Sequence, residues 1–431
     1  MNNNEIYVSL DIGTSNVKVI IGELLNDSIN IIGVGKARSA GIRKGSIVDI
    51  DETVHSIKKA IEQAERMIGL QINRVIVGIT GNHVQLQPCH GVVAVASENR
   101  EIGNEDIQRV IDAAQVLSIP PEREIIDVIP RQFMVDGLDE ITDPRGMIGV
   151  RLEMEGTVIT GSKTVLHNVL RCVERAGLEI TDIALQPLAA GSIALSRDEK
   201  EMGVALIDIG GGSTTISVFE KGFLQKTSVL PIGGEHITKD ISIGLRTSTE
   251  EAEKIKIKHG HAFYDTASNE EQFEVSIIGS DRTQQFSQID ISHIIEARLE
   301  EILDLVLQET HRMGYKELPG GYVLTGGSAA VSGVLDLAQD VLRHNVRIAI
   351  PDYIGVREPQ YTTGVGLIQF ASKNAKIQGR EVAASISADE VERNPQNQAS
   401  SKKQPKQQKD NKEKEPGLSK KVKDWFGYFF E

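Results

Sequence analysis

Two apolar, β-branched runs on either side of a glycine-rich turn form the most informative pattern in the chain, over residues 204–219. The first run ends at Asp208, three consecutive glycines follow, and the second run resumes at Thr214. Glycine supplies the backbone freedom that a tight turn needs, and β-branched residues favour strands. The pattern therefore predicts a β-hairpin with an aspartate at the end of its first strand.

The same pattern occurs near the N-terminus, over residues 6–21. Aligning the two aspartates also superimposes the turns, in the pairs Asp11 and Asp208, Gly13 and Gly210, Ser15 and Gly212, and Asn16 and Ser213. A repeated supersecondary unit predicts two related halves that face each other. Lys18 has no basic counterpart in the second copy. We interpret it as a charge directed at phosphates, with an exposed strand lysine as the alternative.

The spacing of apolar residues predicts alternating helices and strands around these hairpins. Apolar positions every three or four residues predict a helix over 51–68, and a short apolar run predicts a strand over 74–80. In 321–330 a strand, a Gly-Gly turn and a helix opening near Ser328 are expected. Residues 85–155 interrupt the first half without a phosphate or metal signature, which predicts a small inserted subdomain for protein contacts.

These patterns together predict an α/β protein of several parts. A chain of 431 residues exceeds the roughly 250–300 residues at which a single hydrophobic core stops growing, so more than one domain is expected. The predicted boundaries are 1–84 and 156–200 for the first half, 85–155 for the inserted subdomain, 201–233 and 300–371 for the second half, 234–299 for a further subdomain, 372–416 for a linker and 417–431 for a terminal helix.

The C-terminal part of the chain changes composition. The linker is rich in Gln, Lys, Asn, Ser and Pro, which predicts a disordered tether that spans about 35 Å as a coil. Residues 417–431 then predict an amphipathic helix for an anionic membrane surface, with a helix that docks on protein as the alternative. Its predicted membrane residues are Leu418, Val422, Trp425, Phe426, Phe429 and Phe430 on the apolar side, with Lys420, Lys421 and Lys423 on the flanks and opposite face.

Composition narrows the possible functions. The formal net charge of −14 argues against a nucleic-acid partner and means that any contact with an anionic membrane is local. Cys89 and Cys172 have no metal-ligand spacing, and the N-terminus lacks a signal-peptide pattern, which indicates the cytoplasm. No apolar run approaches the roughly 20 residues that span a bilayer.

The two turns carry the chemistry of a phosphate site. Backbone N–H groups at a glycine-rich turn can hold a phosphate chain, and a carboxylate at the strand end can hold Mg²⁺ through its water shell. The residues predicted to bind the cofactor are Gly13, Thr14, Ser15, Asn16 and Lys18 in the first copy and Gly210, Gly211, Gly212, Ser213 and Thr214 in the second, with Asp11 and Asp208 directed at the metal.

Two acidic hairpins followed by a strand, a Gly-Gly turn and a helix resemble the ATPase fold shared by actin, the heat-shock chaperone ATPases and the sugar kinases. With the basic, aromatic C-terminus, the chain is similar to the FtsA family of bacterial cell-division actin homologues, over roughly residues 5–370 and the C-terminal end. The resemblance implies an actin-like fold with two halves around a nucleotide cleft. It also implies ATP and Mg²⁺ as cofactors.

The resemblance assigns roles to further residues. Those placed against the adenosine or beside it are Gly233, Gly234, Glu253, Lys256, Gly326, Gly327 and Ser328. Gln186 matches a position that orients the attacking water, with a helix-capping role as the alternative. Because an amide does not accept the proton of water as a carboxylate does, we expect slow hydrolysis at most. Arg298 lies where the family receives the C-terminal peptide of FtsZ, the tubulin-like ring protein.

The leading hypothesis is an ATP-binding protein that assembles with itself into filaments. It would anchor the FtsZ ring to the cytoplasmic face of the membrane at the division site, and other division proteins would contact its inserted subdomain. A small-molecule kinase of the same superfamily is one alternative, although the sequence assigns no further catalytic aspartate. A pilus-assembly actin homologue is another, although its family does not account for the basic, aromatic tail.

Overall fold

The structure is a computed structural model that describes residues 5–25, 28–279, 283–380 and 382–385. The predicted terminal helix and most of the predicted linker lie outside these ranges. Within them, no helix is both long enough and apolar enough to cross a bilayer.

The first half opens with three long antiparallel strands and a helix. Its elements up to the insertion are β1 (Glu5–Ile12), β2 (Asn16–Leu25), β3 (Ser28–Arg38), β4 (Ile42–Arg43), β5 (Ser46–Ile47), α1 (Ile50–Ile68) and β6 (Arg74–Ile79). Every residue of β1 after Glu5 is buried, as expected of a central strand covered on both faces. The Asp49 side chain accepts a hydrogen bond from the Glu52 N–H at the start of α1, and Gly69 ends the helix in the left-handed conformation.

The inserted subdomain has its own four-stranded sheet and core. Its elements are β7 (Gln85–Ala94), α2 (Asn104–Ala114), β8 (Arg123–Val135), β9 (Leu138–Ile141) and β10 (Arg151–Ser162), and the strand order is β7-β10-β8-β9. Strand β10 runs through the predicted boundary between residues 155 and 156, so that boundary is wrong. The pairing of β10 with β8 shifts at Gly156. In the sequence, the glycine at this irregularity looks like the end of a strand.

The first half then resumes and closes its sheet. The remaining elements are α3 (Lys163–Arg175), β11 (Glu179–Leu185), α4 (Gln186–Ala194) and α5 (Arg197–Met202). The sheet has the order β11-β6-β1-β2-β3, with β1 antiparallel to β2 and parallel to β6. The hairpin predicted for residues 6–21 is therefore confirmed at the centre of a mixed sheet.

The second half repeats this construction. Its elements are β12 (Val204–Ile209), β13 (Thr214–Glu220), β14 (Phe223–Leu230), α6 (Gly234–Gly244), α7 (Thr249–His259), β15 (Gln272–Ser276), β16 (Thr283–Ser287), α8 (Gln288–Arg312), β17 (Tyr322–Thr325), α9 (Val334–Leu342), β18 (Val346–Ile348) and α10 (Thr362–Ile377). The order β14-β13-β12-β17-β18 has the same pattern as the first sheet, with β12 in the place of β1. The predicted duplication is confirmed.

Three other predicted boundaries fall inside helices. The boundary at 200/201 lies in α5, the boundary at 299/300 lies in α8, and the boundary at 371/372 lies in α10. These helices cross between parts of the protein, whereas the sequence signals mark turns and changes in composition. The predicted linker also begins too early, because Ser385 donates its N–H to the Ile6 carbonyl and its hydroxyl oxygen accepts the Val8 N–H.

The glycine-rich start of α10 allows close helix packing. A side-chain Cβ built at Gly366 would overlap the carbonyl of Ala189 on α4, and one at Gly364 would lie 2.8 Å from the Ile20 side chain. These glycines therefore permit close packing of α10 against α4 and β2. The helix predicted to open near Ser328 is instead a single 3₁₀ turn, Gly327–Ala330, because α9 begins only at Val334.

Candidate functional site

The turns of the two related hairpins meet at a cavity of about 590 Å³ between the halves. Most of the residues predicted from the motifs line this cavity together. They are Asp11, Gly13, Thr14, Ser15, Asn16, Lys18, Gln186, Asp208, Gly210, Gly211, Ser213, Glu253, Lys256, Gly326, Gly327 and Ser328. A volume of this size lies within the usual range for small-molecule and cofactor sites.

The carboxylate of the first hairpin is electrostatically compensated. Asp11 stands opposite Lys18 in the β1–β2 register, and the Lys18 Nζ lies 2.8 Å from the Asp11 Oδ2. The two side chains are only 6% and 14% exposed, respectively. Gln186, the first residue of α4, donates its Nε2–H to the other oxygen of Asp11 at 2.7 Å. Both oxygens of Asp11 are therefore engaged by the protein.

Lys18 is held in its charged form by these neighbours. Burial alone would lower the pKa of Lys18, but the charge and hydrogen bond of Asp11, together with the charge of Asp208, more than offset that cost. Its pKa is raised above the ordinary value. Lys18 therefore serves both carboxylates of the cleft, although its direct bond is to Asp11.

The carboxylate of the second hairpin has much weaker partners. Asp208 stands opposite Thr215 in the β12–β13 register, and its closest hydrogen bond is from the Thr363 hydroxyl at 3.3 Å. Within the described ranges it forms no ion pair. Burial raises the pKa of Asp208, and the charge of Lys18 offsets part of that rise. A buried carboxylate with so few partners is suited to attract a cation.

The two turns touch each other directly. A Cβ built at Gly212 would lie 2.5 Å from the Thr14 Cγ2, and one at Gly211 would overlap the Ser15 hydroxyl. Among the residues that the structure describes, the N–H groups of Gly211, Gly212 and Ser213 donate no hydrogen bond to the protein. The second turn therefore presents free N–H donors, the groups that hold a phosphate chain.

Gly233 and Gly234 support this turn from behind instead of lining the cavity. The Gly234 N–H donates to the Gly210 carbonyl at 2.9 Å, and a Cβ built at Gly233 would lie 2.5 Å from the same oxygen. Glycine is thus required at position 233 by close backbone packing. The structure thus gives these two glycines a packing role, and their contact with a cofactor stays a prediction.

Thr214 and Gly212 are also absent from the lining of the cavity. Thr214 is fully buried, and its hydroxyl donates to the Ile232 carbonyl at 2.8 Å. Its place at the start of β13 turns the side chain toward the core of the second half, and its contact with phosphate stays a prediction. Gly212 instead contacts Thr14 of the facing turn.

Glu253 and Lys256 lie on one face of α7 and both line the cavity. They bind each other, with the Lys256 Nζ 2.7 Å from the Glu253 Oε2. The Lys256 ammonium also donates to the Gly234 carbonyl at 3.1 Å and to the Thr238 hydroxyl at 2.8 Å. All three of its donors are used, so Lys256 braces the start of α6 against α7.

Gly326 has a conformational reason to be glycine. Its φ of 90° lies in the left-handed region, and a Cβ there would overlap the Asp208 carboxylate. Ser328, in the following 3₁₀ turn, donates its hydroxyl to the Gly210 carbonyl at 3.3 Å. The strand, Gly-Gly and helix segment therefore packs against the second hairpin turn.

Several residues of the cavity were not predicted from the sequence. They are Lys36, Thr80, Asn82, Glu271, Gln288, Ser332, Glu358, Gln360, Tyr361 and Thr363, among others. Most come from segments without a glycine-rich motif, so nothing local marks them. Lys36 is the exception, since it stands opposite Lys18 in the β2–β3 register and continued alignment of the strands would have found it.

Arg298 lies outside the cavity and is already paired. Its Nε lies 2.5 Å from the Asp240 Oδ2 on α6, and its Nη1 contacts Glu301 one turn along α8. The side chain is 27% exposed. Any acidic partner at this position would have to compete with these two carboxylates.

Solved structures of low sequence identity share the fold. A PilM-PilN type IV pilus biogenesis complex matches with a TM-score of 0.57 at 16% identity, over 84% of this chain and 97% of the other. MreB5 of Spiroplasma citri, bound to ADP, matches with a TM-score of 0.53 at 14% identity, over 87% and 98% of the two chains. The actin-like fold is therefore confirmed.

Sequence comparison identifies the family. A profile described as cell division protein FtsA matches residues 205–366, and one described as the SHS2 domain inserted in FTSA matches residues 81–160. Cell division protein FtsA of Bacillus subtilis is 68% identical over 382 residues, covering 89% of this chain and 87% of the relative. The Enterococcus faecalis protein of the same name is 45% identical over 85% and 84% of the two chains. The chain therefore belongs to the family of the actin-like bacterial cell division protein FtsA.

Proposed function

We propose that this division protein binds ATP with Mg²⁺ in the cavity between its two hairpin turns. The observation that carries the proposal is the buried Asp208 carboxylate, which faces the cavity without an ion-pair partner among the described residues. The free N–H groups of the adjoining turn supply the complementary donors for phosphate. Mg²⁺ bound to the phosphate chain of ATP would satisfy both the carboxylate and the N–H donors.

The donor set suits a metal that arrives with the nucleotide. Among the described residues no cluster of three or more His, Cys, Asp or Glu side chains is arranged to hold a metal ion. Mg²⁺ commonly binds through one or two carboxylates together with phosphates and waters. Since Asp11 is bonded to Lys18 and Gln186, we assign the larger part of the metal contact to Asp208, through its water shell.

Gln186 limits the chemistry that this site would perform. Its Nε2 donates to Asp11, which fixes the amide and leaves its carbonyl oxygen to orient a water. An amide does not take the proton of that water, and no further free carboxylate is assigned to the task. We therefore propose that ATP serves mainly as an assembly cofactor that is hydrolysed slowly at most.

The proposed cellular role is to join the division ring to the membrane. The chain would assemble with itself into filaments and receive the C-terminal peptide of FtsZ near Arg298, once the Asp240 pair opens. Its terminal residues 417–431 would lie in the cytoplasmic face of the membrane, with the inserted subdomain free for other division proteins. Many tails on one filament would bind together, so weak single contacts add up to stable attachment.

The Asp208→Ala variant tests the link between nucleotide and assembly. We expect it to lose ATP binding in a calorimetric titration and filament formation in electron micrographs together. Glu300→Ala, an exposed α8 residue outside the cavity, serves as the control and should keep both. Filaments of unchanged yield from a variant that no longer binds ATP would contradict the link.

The only tryptophan, Trp425, reports on the proposed membrane contact. Anionic vesicles should shift its emission to the blue, and more so with ATP, because assembly lets many tails bind at once. Replacing Lys420 and Lys421 by glutamate should weaken the shift. Unchanged emission at every lipid concentration would remove the membrane role and leave the tail as a protein-docking segment.

A further inference from the structure

We propose that Lys36 binds the phosphate chain of the nucleotide through its side-chain ammonium. Lys36 lies on β3, outside both glycine-rich turns, and lines the cavity between the two halves. The role of Lys36 rests on the proposed nucleotide function, to which it adds a binding residue and a direction for the phosphate chain.

Lys36 belongs to a row of three charged residues that crosses the first sheet. Asp11 on β1 stands opposite Lys18 on β2, and Lys18 stands opposite Lys36 on β3. Residues that face each other across antiparallel strands direct their side chains to the same side of the sheet. All three residues line the cavity. The row therefore presents one negative and two positive charges to a ligand.

The second positive charge of this row has no carboxylate to balance it. Lys18 pairs with Asp11, whereas no Asp or Glu of the described residues forms an ion pair with Lys36. Like charges directly opposite each other are unfavourable, and partial burial and the charge of Lys18 lower the pKa of Lys36. The carboxylates of Glu358 and Glu253 offset only part of that effect. An anion in the cavity would therefore stabilise the charged form of Lys36.

The present acceptor of the Lys36 ammonium is a neutral amide. The Lys36 Nζ donates to the Gln360 Oε1 at 2.8 Å, and the Gln360 Nε2 in turn donates to the Glu358 carboxylate. Gln360 belongs to the second half and lines the cavity, so this bond joins the two halves beside the site. A phosphate oxygen is a better acceptor for an ammonium, because its negative charge adds Coulomb attraction to the hydrogen bond. A phosphate would therefore replace the amide.

The order of the strands gives the phosphate chain a direction. Gln186 follows β11 and Lys36 lies on β3, and these strands form the opposite edges of the first sheet. Between them, Asp11 accepts from Gln186 with one oxygen and from Lys18 with the other. Under the proposed function, Gln186 orients the water for hydrolysis, so the terminal phosphate lies at its end of the row. Lys36 would therefore contact a phosphate nearer the ribose, which ATP and ADP share.

Calorimetric titrations of the full chain with ATP and with ADP, both with Mg²⁺, test this role. Lys36→Gln removes the charge, and we expect the affinity for both nucleotides to fall by about tenfold, with the ratio of the two affinities unchanged. Lys36→Arg keeps the charge and should stay within about threefold of the wild type. Lys59→Gln removes the same charge from an exposed position of α1 outside the cavity and should change neither affinity.

A variant of Gln360 separates phosphate binding from a purely structural role of the bond between the halves. Gln360→Ala should bind both nucleotides slightly more tightly than the wild type, because the amide no longer competes for the Lys36 ammonium. A loss as large as that of Lys36→Gln would show that Lys36 acts only through its bond to Gln360, and would overturn the proposal.

The outcomes also separate the role of Lys36 from the proposed function. If the wild-type chain binds neither nucleotide, both fail. If it binds both and Lys36→Gln binds them as tightly, only the role of Lys36 fails. A loss for ATP alone would overturn the direction given to the phosphate chain.

Adenosine, which has no phosphate, provides a second probe. We expect it to bind equally to the wild type and to Lys36→Gln, which would also show that the variant is folded. An equal loss of adenosine binding would mean that the substitution disturbs the whole cleft, and would overturn a phosphate contact.

Discussion

The two hairpins of this protein share a fold and a position, yet their aspartates have different surroundings. In the first, the residue across the strand pair is Lys18, which forms a buried ion pair with Asp11. In the second, the equivalent residue is Thr215, and Asp208 has only the long hydrogen bond from Thr363. The residue across the strand pair thus decides whether the carboxylate is structural, as in Asp11, or available to a ligand, as in Asp208.

The two carboxylates therefore also affect the stability of the folded protein differently. A buried, paired carboxylate stabilises the protein only while its partner remains, whereas a buried carboxylate with weak partners destabilises it until a cation arrives. The first hairpin therefore belongs to the folded framework. The second hairpin holds the unsatisfied charge that the proposed function needs.

The largest effect is expected for a variant that removes the buried ion pair of the first hairpin. Asp11→Asn leaves the buried Lys18 ammonium without its carboxylate, and we expect the free energy of unfolding to fall by roughly 3 kcal/mol. Denaturant titration measures the change. Asp51→Asn is the control, because its pair with Arg175 is exposed and such pairs contribute less than about 1 kcal/mol. Equal losses in the two variants would show that Asp11 is not part of the framework.

Asp208→Asn should have the opposite sign in the nucleotide-free protein. Burial raises the pKa of Asp208, so the folded state binds its proton more tightly than the unfolded state does. Stability from this group is therefore present at low pH and is lost as pH rises from about 3.9 through the folded pKa. At pH 7 the neutral amide removes that loss, and we expect Tm to rise by about 2 °C.

The pH dependence supplies the control for this prediction. The gain in Tm should shrink as the pH is lowered toward 4, because the wild-type carboxyl then takes up its proton. Thermal unfolding of both proteins at several pH values measures it. A lower Tm for Asp208→Asn at pH 7 would mean that Asp208 has a favourable partner in the empty cleft, and the contrast between the hairpins would disappear.

Sequence reasoning was most successful where local pattern and chemistry coincide. The two aspartates, the glycine turns and the helix predicted over 51–68 are all visible as short motifs, and the structure contains each of them, with the helix over Ile50–Ile68. It did not predict the neighbours that decide their roles. Thr363 lies 155 residues from Asp208, so no periodicity connects them.

Errors at boundaries have a related cause. Glycine and changes in composition mark turns well, but Gly156 lies inside β10 and the start of the predicted linker lies inside α10. In both places the chain continues one element across two parts of the protein. Burial against a distant partner, as for Ser385 on β1, is a tertiary property that local composition does not carry.

The smallest effect is expected for a variant that removes the hydrogen bond from Thr363 to Asp208 in the second hairpin. Thr363→Val removes the only direct side-chain donor to Asp208 among the described residues, at the long distance of 3.3 Å. We expect a loss of about 0.5 kcal/mol in the free energy of unfolding, and no loss in the Asp208→Ala background, which has no side-chain acceptor for the Thr363 hydroxyl. A double-mutant cycle measures this coupling. A coupling well above 1 kcal/mol would mean that Thr363 compensates Asp208 much as Lys18 compensates Asp11.

The most direct test measures how Mg²⁺ changes the affinity for ATP in the wild type, Asp11→Asn and Asp208→Asn, by titration calorimetry with and without the metal. If Asp208 holds the metal through its water shell, Mg²⁺ should strengthen ATP binding in the wild type and in Asp11→Asn. The same metal should add little in Asp208→Asn, so the affinity of this variant for ATP with Mg²⁺ should be about 10–100-fold lower than that of the wild type. A full effect of Mg²⁺ in Asp208→Asn, or its loss only in Asp11→Asn, would contradict the assignment of the two hairpins.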